Sequence, residues 1–548
     1  MKYSKIASVL ACLPIGLAAA NAERPNIIYI LTDDQPYDLL GCNGNNIIKT
    51  PNLDKLAEKG VRFTNAHVSS AISTPSRTCM LTGRYERSHG VNFNSETSLS
   101  EEAWNECYPL VLQANGYYTG YVGKNHTPIG NGGYDSGVME KSYDYWYAGH
   151  DHIRFYPKQV KKIFKGAKAN TQIEIIQEGV LDFMNPNERN LSGALHFMSS
   201  RPEDKPFFLN IAFNLPHDAG TSTMKQLDSD PELYRTAYRD IEMPLPKNYI
   251  AKADIKTPKL PPHVLRAEDR QSGYDWVDTP KTARERIIRQ HQTMTGIDLL
   301  VGRLVKELKK QGIEKNTIII FSSDHGVFKG EYGLGGKALC YEKCTKVPLI
   351  IYDPRAPKTK GRTNNELVLA LDLAPTILTY AGIKAPKSYQ GFNLIPMLNG
   401  KEKKVRDYLF TENLWVTPFG NPAVDAVQTK EWKYIRYFKN TTPSASKIIK
   451  LAKDMKLPAN TVYKENNSFV EYRILVDQAI NGAKPIYEEL YNLKNDPWEE
   501  KNLISDEKNK AILEELRREC DIQLRYARGE GNPKVWINSP KHDAITIK

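Results

Sequence analysis

Apolar and polar positions alternate in blocks along the first two thirds of the chain. "NIIYIL" is a short unbroken apolar run that stops at the polar "TDDQP". A run of that length predicts a strand buried on both faces, with Asp33 and Asp34 left at its C-terminal tip. "TPNLDKLAEKG" follows with helical spacing, with Thr50 or Asn52 placed to cap it and Gly60 to stop it. "GYYTGYVGK" and "PFFLNIAF" predict further strands, and residues 282–311 predict a long amphipathic helix. "NTIIIFSSDHG" repeats the first plan, an apolar strand with acidic and polar residues at its tip. "KVPLIIYDP" and the helical "LDLAPTILTYAG" complete the pattern.

Strands alternating with helices predict an α/β domain on a large, mostly parallel sheet flanked by helices. Ligands of such sheets bind beyond the carboxyl ends of the strands, which draws Asp33, Asp34, Asp324 and His325 towards one crevice. After about residue 385 the texture changes. "DYLFTENLWV", "DAVQTKEWKYIRYF" and "YEELYNL" predict antiparallel strands, and "DEKNKAILEELRRECDIQLRYA" a closing helix. The expected division is therefore 1–22 as an export signal, 23–385 as the catalytic α/β domain and 386–548 as a smaller α+β domain.

The export signal rests on Lys2 and Lys5, the apolar "IASVLACLPIGLAAA" and the small residues Ala20 and Ala22. It predicts a periplasmic or extracellular protein. A lipoprotein would use Cys12, but "VLA" before it matches that pattern poorly. No later run is long and apolar enough for a transmembrane segment. Six cysteines follow residue 23, of which Cys340 and Cys344 are spaced for a local bridge; no paired C-x-x-C framework marks a zinc site. With 75 basic and 64 acidic residues the formal charge is +11. No nucleic-acid module is legible, so an acidic glycan suits this surface better than nucleic acid does.

The most specific stretch is "STPSRTCMLTGRY", beginning at Ser73. Pro75 reads as the first residue of a helix, where its missing N–H costs little. Ser73 then stands at a helix N-terminus, where free N–H groups favour an anion, and Arg77 reaches back from one turn further in. The ordinary alternative is a serine cap on an unremarkable helix. Likewise, an Asp-Asp after a strand is commonly a turn, and His126, His217, Lys124 and Lys337 taken singly are commonly structural or solvated.

Together these residues resemble the formylglycine-dependent sulfatases of the alkaline phosphatase-like superfamily. Ser73, Pro75, Ser76, Arg77, Leu81, Thr82 and Gly83 match the signature whose first residue, Cys or Ser, is oxidised to formylglycine. "GKNH" resembles the G-K-x-H element with Lys124 and His126, and "FNLPH" the element with His217. "SSDHG" resembles the second metal strand, "GLGGKALCYE" carries Lys337, and "LYNLKNDPWEEKNL" resembles the C-terminal motif. The resemblance implies a hydrolase that removes sulfate from a sulfated carbohydrate. It implies one Ca2+ held by Asp33, Asp34, Asp324, His325 and oxidised Ser73. The hydrated aldehyde attacks sulfur, Arg77, Lys124 and Lys337 offset sulfate charge, His126 assists formylglycine and His217 protonates the leaving oxygen. A serine at position 73 further implies a radical SAM maturase as a biogenesis partner. His325 stands where many relatives carry Asn; it either ligates the metal or contacts sulfate or formylglycine. Alternatives are a phosphonate or phosphate ester hydrolase of the same superfamily and a non-catalytic glycan-binding relative. N-terminal sequencing of the exported protein is expected to begin at Glu23; a start at Met1 overturns the signal assignment.

Overall fold

A computed structural model describes residues 24–539 and 542–546, except residues 94, 151–154, 161–163, 179–192, 218–225, 268–269, 271–274, 415–420, 441–443 and 455–467. The expected export signal and Cys12 lie outside the described residues. The apolar run at residue 26 becomes strand β1 (Asn26–Asp33), buried along its whole length. Seven more strands share its sheet: β2 (Val61–Phe63), β3 (Tyr118–Asn125), β4 (Tyr145–His150), β5 (Phe207–Pro216), β6 (Thr317–Ser323), β7 (Leu349–Tyr352) and β8 (Arg362–Asn364). Their order is β8-β2-β7-β6-β1-β5-β3-β4. β1 runs parallel to both β5 and β6, and only β7 opposes its neighbours. The expected mostly parallel α/β sheet is thus observed. Thr32 pairs with Ser323, so the two acidic tips leave the sheet side by side.

Helix α1 (Pro51–Lys59) lies where its spacing predicts, but its cap differs. Thr50 occupies the cap position without capping, its Oγ1 accepting from the Gly41 N–H at 2.9 Å. Asp298 supplies the cap from the long helix, accepting from the Leu53 N–H at 2.8 Å and from Asn52 Nδ2 at 2.8 Å. A free helix start can be satisfied by any nearby acceptor, and only folding reveals a distant one. Gly60 does end α1, though for steric reasons: a Cβ there would sit 2.4 Å from the Ile351 carbonyl oxygen. The catalytic-motif helix α2 (Ser73–Thr82) is buried at all ten positions. The long helix α3 (Pro280–Lys310) starts with a capping box between Thr279 and Thr282. α4 (Leu373–Tyr380) follows the last strand of the sheet.

A second, antiparallel sheet contains β9 (Leu409–Asn413), β10 (Ala423–Gln428), β11 (Trp432–Phe438) and β12 (Tyr487–Asn492) in that order. Helix α5 (Lys510–Arg528) packs on it through Leu513, Leu516, Cys520 and Leu524. The chain then returns to the first part of the molecule, where Val535–Ser539 pairs with Thr97–Leu99. Among the described residues no helix is long and apolar enough to cross a membrane. The six described cysteines are all free, so the local bridge that the spacing of Cys340 and Cys344 left open is not formed. Both are buried, and burial pushes the Cys344 thiol up to about 12, which keeps it protonated.

The two sheets are joined by buried charge. Lys433, on β11 and fully buried, donates to Glu342 Oε1 at 2.7 Å and Glu499 Oε1 at 2.9 Å. Glu499 Oε2 in turn accepts from the Glu342 N–H at 2.8 Å. Asn502 accepts from the Leu490 N–H at 3.0 Å. The C-terminal motif "LYNLKNDPWEEKNL" therefore acts as a clasp between the second sheet and the loop after Lys337. Removing one partner of a buried ion network leaves the others unneutralised, at a cost of about 3–5 kcal/mol. Lys433→Met is expected to lower unfolding free energy by that amount, measured by chemical denaturation; a change below about 1 kcal/mol would show that the network carries little.

Candidate active site

The site forms where four chain ends meet: the tips of β1 and β6, the start of α2 and the end of β3. Asp33 ends β1, and Asp34 turns out of it with φ 58°, a left-handed conformation that Asp tolerates. The Asp34 N–H donates to Asp324 Oδ1 at 3.1 Å, which locks the two strand tips together. Lys124 is delivered by the last turn of β3. Gly123 precedes it with φ 105°, and a Cβ there would lie 2.0 Å from the Ala212 carbonyl oxygen, so only glycine lets β3 approach β5 this closely.

Helix α2 starts at Ser73, two residues before the position expected from Pro75. Pro75 still costs no hydrogen bond, because it lies within the first turn. Ile72 occupies the cap position and no side chain caps the helix. Ser73 Oγ instead lies 3.0 Å from His325 Nε2 and 3.3 Å from Asp33 Oδ1. The ordinary cap assignment for Ser73 therefore does not hold. Ser76 Oγ donates to the Asp324 carbonyl, fixing the helix against the tip of β6.

Asp33, Asp34, Asp324 and His325 are buried and can each place one ligand atom within 4.8 Å of the others. Three cations answer the three carboxylates. Arg77 Nε donates to Asp324 Oδ2 at 2.9 Å and its other nitrogen lies 3.5 Å from Asp33. Lys124 Nζ binds Asp33 Oδ2, and Lys337 Nζ donates to Asp34 Oδ1 at 2.7 Å. Burial alone would raise Asp33, but Lys124 and Arg77 outweigh it, with His217 and Lys337 adding, and hold it well below the usual carboxylate range. Asp34 is likewise raised by burial and lowered on balance by His217, Lys337 and His325. Burial pulls Lys124 down, with Asp33 partly restoring it.

His325 is pulled down by burial, against the pull of Asp324, so the neutral ring is favoured. Its Nδ1 lies 3.0 Å from the Gly326 carbonyl oxygen, which places the proton on Nδ1 and leaves the Nε2 lone pair facing Ser73. The donor set, three carboxylates and one imidazole lone pair, fits a divalent cation. Asp34 Oδ2 adds to that fit: it is buried and accepts no hydrogen bond from any described residue, with His217 Nε2 at 3.5 Å.

His217 thus joins the cluster through Asp34. His126 is tied to the helix start by its carbonyl, which accepts from Thr74 Oγ1 at 2.9 Å. Its ring stacks on Tyr134 with centroids 5.7 Å apart, and Thr74 and Tyr134 hydroxyls meet at 2.7 Å. Thr74 and Tyr134 were not legible as site residues: "NGGYDSG" has no chemical signature, and only its folding against α2 reveals the contact. Trp276, edge-on to His217 at 6.3 Å, was missed for the same reason.

The Sulfatase family model matches residues 25–383. A second model, N-sulphoglucosamine sulphohydrolase, C-terminal, matches residues 330–479. An N-acetylglucosamine-6-O-sulfatase of Bacteroides thetaiotaomicron is 29% identical over 424 residues, covering 70% of this chain and 73% of that protein. A solved structure in complex with its substrate D-glucosamine-2-N,6-O-disulfate has a TM-score of 0.62 at 21% identity, covering 92% and 98% of the two chains. A phosphonate monoester hydrolase of Agrobacterium radiobacter has a TM-score of 0.63 at 19% identity, covering 96% and 100%. These two structures establish the fold; the family model spans more than half of the sequence, and by that match the chain belongs to the sulfatase family, the sulfuric ester hydrolases.

Proposed function

We propose that this sulfatase removes sulfate from a sulfated carbohydrate, with residue 73 as the group that receives the sulfuryl unit. One observation carries the assignment: Ser73 Oγ stands within 3.3 Å of both Asp33 and His325, so an oxygen on residue 73 can join the same ligand set. Asp33, Asp34, Asp324 and His325 Nε2 would hold one divalent cation. The oxygen-rich donor set favours calcium. When bound, the ion supplies Lewis acidity to the residue-73 oxygen. Oxidation of Ser73 to formylglycine, hydrated, supplies two hydroxyls on one carbon, one to accept the sulfuryl group and one whose deprotonation releases it. Unmodified serine is a weak nucleophile and lacks the second hydroxyl.

Charge arithmetic supports the substrate class. Arg77, Lys124 and Lys337 balance Asp33, Asp34 and Asp324, so a divalent cation leaves positive charge in excess. That excess suits the negative charge of a sulfate ester and the additional charge on its oxygens during transfer. His126, positioned by Thr74 and Tyr134, takes the proton from the second hydroxyl. His217 protonates the leaving oxygen; an imidazole suits proton transfer near neutrality. The carbohydrate class is supported by the basic net charge of +11 and by the sugar sulfates named for the relatives. Export to the periplasm or beyond, and activation by a serine-type radical SAM maturase, complete the reading.

Ser73→Ala is expected to lower kcat/KM on a sulfated saccharide by at least about 10^3-fold. Unfolding free energy should change by only about 1 kcal/mol, the worth of one hydroxyl. Ser73→Cys produced with a cysteine-type maturase should regain activity, because both routes end at the same aldehyde. Near-native turnover by Ser73→Ala defeats the assignment.

Exhaustive chelation is expected to abolish turnover and lower Tm, with calcium restoring both. At a free concentration 100 times Kd the ion stabilises by about 2.7 kcal/mol. Asp324→Asn should lose most of that calcium-dependent Tm shift. Full activity in chelator, together with an unchanged Tm and no metal by elemental analysis, contradicts the metal role.

A further inference from the structure

A cavity of about 370 Å³, lined by none of the candidate site residues, has a polar floor and an open rim. Asn46 and Pro244 at the rim are exposed, while Lys329 and Glu331 at the floor are buried. The cavity hangs on the same two chain segments as the catalytic residues. Asp38 lies four residues beyond Asp34, a reach of at most about 14 Å. Lys329 pairs across a short hairpin with Gly335, two residues before Lys337.

The hydrogen-bonding state of the floor is mixed. Lys343 lies 2.7 Å from Asp38 Oδ2 and 3.6 Å from Glu331 Oε1, so one ammonium serves two carboxylates. Asp38 Oδ1 and Glu331 Oε1 are buried and accept no hydrogen bond from any described residue. Lys329 is 9% exposed, and its Nζ makes no hydrogen bond or ion pair among the described residues; only its backbone N–H is engaged, by Glu331. His291 donates Nδ1–H to the Ile287 carbonyl at 2.8 Å, and burial pulls it down to about 4, so it is neutral. Trp498 forms one wall, held by Lys343 at 4.9 Å from its ring.

The two lysines and two carboxylates that line the floor balance one another. What it offers is the Lys329 ammonium, which makes no hydrogen bond among the described residues, next to two carboxylate oxygens that accept none, Glu331 Oε1 having only its 3.6 Å ion pair with Lys343. A sugar hydroxyl both donates and accepts, and so satisfies both at once. An indole wall suits the apolar face of a sugar ring. We infer that this cavity is a subsite for an uncharged, hydroxyl-rich saccharide unit adjoining the one that bears the scissile sulfate. Its hydroxyls donate to Asp38 Oδ1 and Glu331 Oε1 and accept from Lys329 Nζ. The inference rests on the proposed carbohydrate substrate.

The test compares metal-loaded, mature enzyme on three substrates: an aryl sulfate, a sulfated monosaccharide, and the disaccharide that adds one neutral sugar to it. The wild type should show a KM for the disaccharide about tenfold below that for the monosaccharide, roughly the worth of one hydrogen bond. Lys329→Met and Trp498→Ala should erase that difference while leaving kcat and the monosaccharide KM unchanged, and Trp498→Phe should keep part of it. A disaccharide whose added sugar carries a carboxylate should lose the advantage in the wild type. Should Lys329→Met fail to fold, the half-buried Trp498 pair decides the question. Equal KM values on the two saccharides in the wild type, or a preference that survives in folded variants, overturns the subsite. Turnover of the aryl sulfate with no desulfation of either saccharide overturns the carbohydrate reading itself, a result distinct from loss of the subsite alone.

Discussion

The arrangement depends on burying three carboxylates at the tips of two adjacent strands. Parallel pairing of Thr32 with Ser323 fixes where β1 and β6 end, and so brings Asp33, Asp34 and Asp324 together. Three such charges, almost without solvent, are unfavourable unless each meets a partner. Arg77, Lys124 and Lys337 meet them from three separate segments: α2, the end of β3 and the loop beyond the short hairpin. Each cation therefore anchors its segment to the strand tips. The same demand explains why α2 is buried at every position and why Gly123 is needed where β3 closes on β5.

What the sequence made legible follows from how local each signal is. Apolar runs predicted β1, β3, β5, β6 and β7, and helical spacing predicted α1, α3, α4 and α5, because burial imposes those periods on adjacent residues. The candidate site residues were legible because they sit in short motifs at strand and helix ends. Signals made by residues far apart were not. Asp298 caps α1 in place of Thr50, and Lys433 clasps Glu342 and Glu499 across the two sheets. The start of α2 was misplaced by two residues because Pro75 tolerates any position in a first turn, so its presence does not select one. The spacing of Cys340 and Cys344 left a local bridge open, because spacing carries no information on side-chain direction, and both are free.

His325 shows how geometry narrows an alternative that the motif leaves open. An imidazole in place of an amide gives up an oxygen donor, but its Nδ1 has the Gly326 carbonyl as acceptor, so Nε2 presents a lone pair towards Ser73 and the carboxylates. A ring held by a backbone carbonyl through one nitrogen and aimed through the other is the arrangement that favours ligation. Contact with sulfate would call for a donor at Nε2, which that proton placement withholds.

On the proposed carbohydrate reading, selection of the sugar has to lie outside this cluster. A similar fold serves a phosphonate monoester hydrolase, so the fold by itself does not specify the substrate. Discrimination among hydroxyl-bearing rings needs polar atoms that remain unsatisfied until the right ring arrives, since only then does a wrong ring leave a buried group without a partner. Asp38 Oδ1 and Glu331 Oε1 are buried and accept no hydrogen bond among the described residues, and they are carried by the segments that bear Asp34 and Lys337. A sugar seated there would be registered against the sulfate through the backbone itself. Small changes in the loop at 43–46 or in Trp498 could then alter which glycan is accepted while the sulfate chemistry stays as it is.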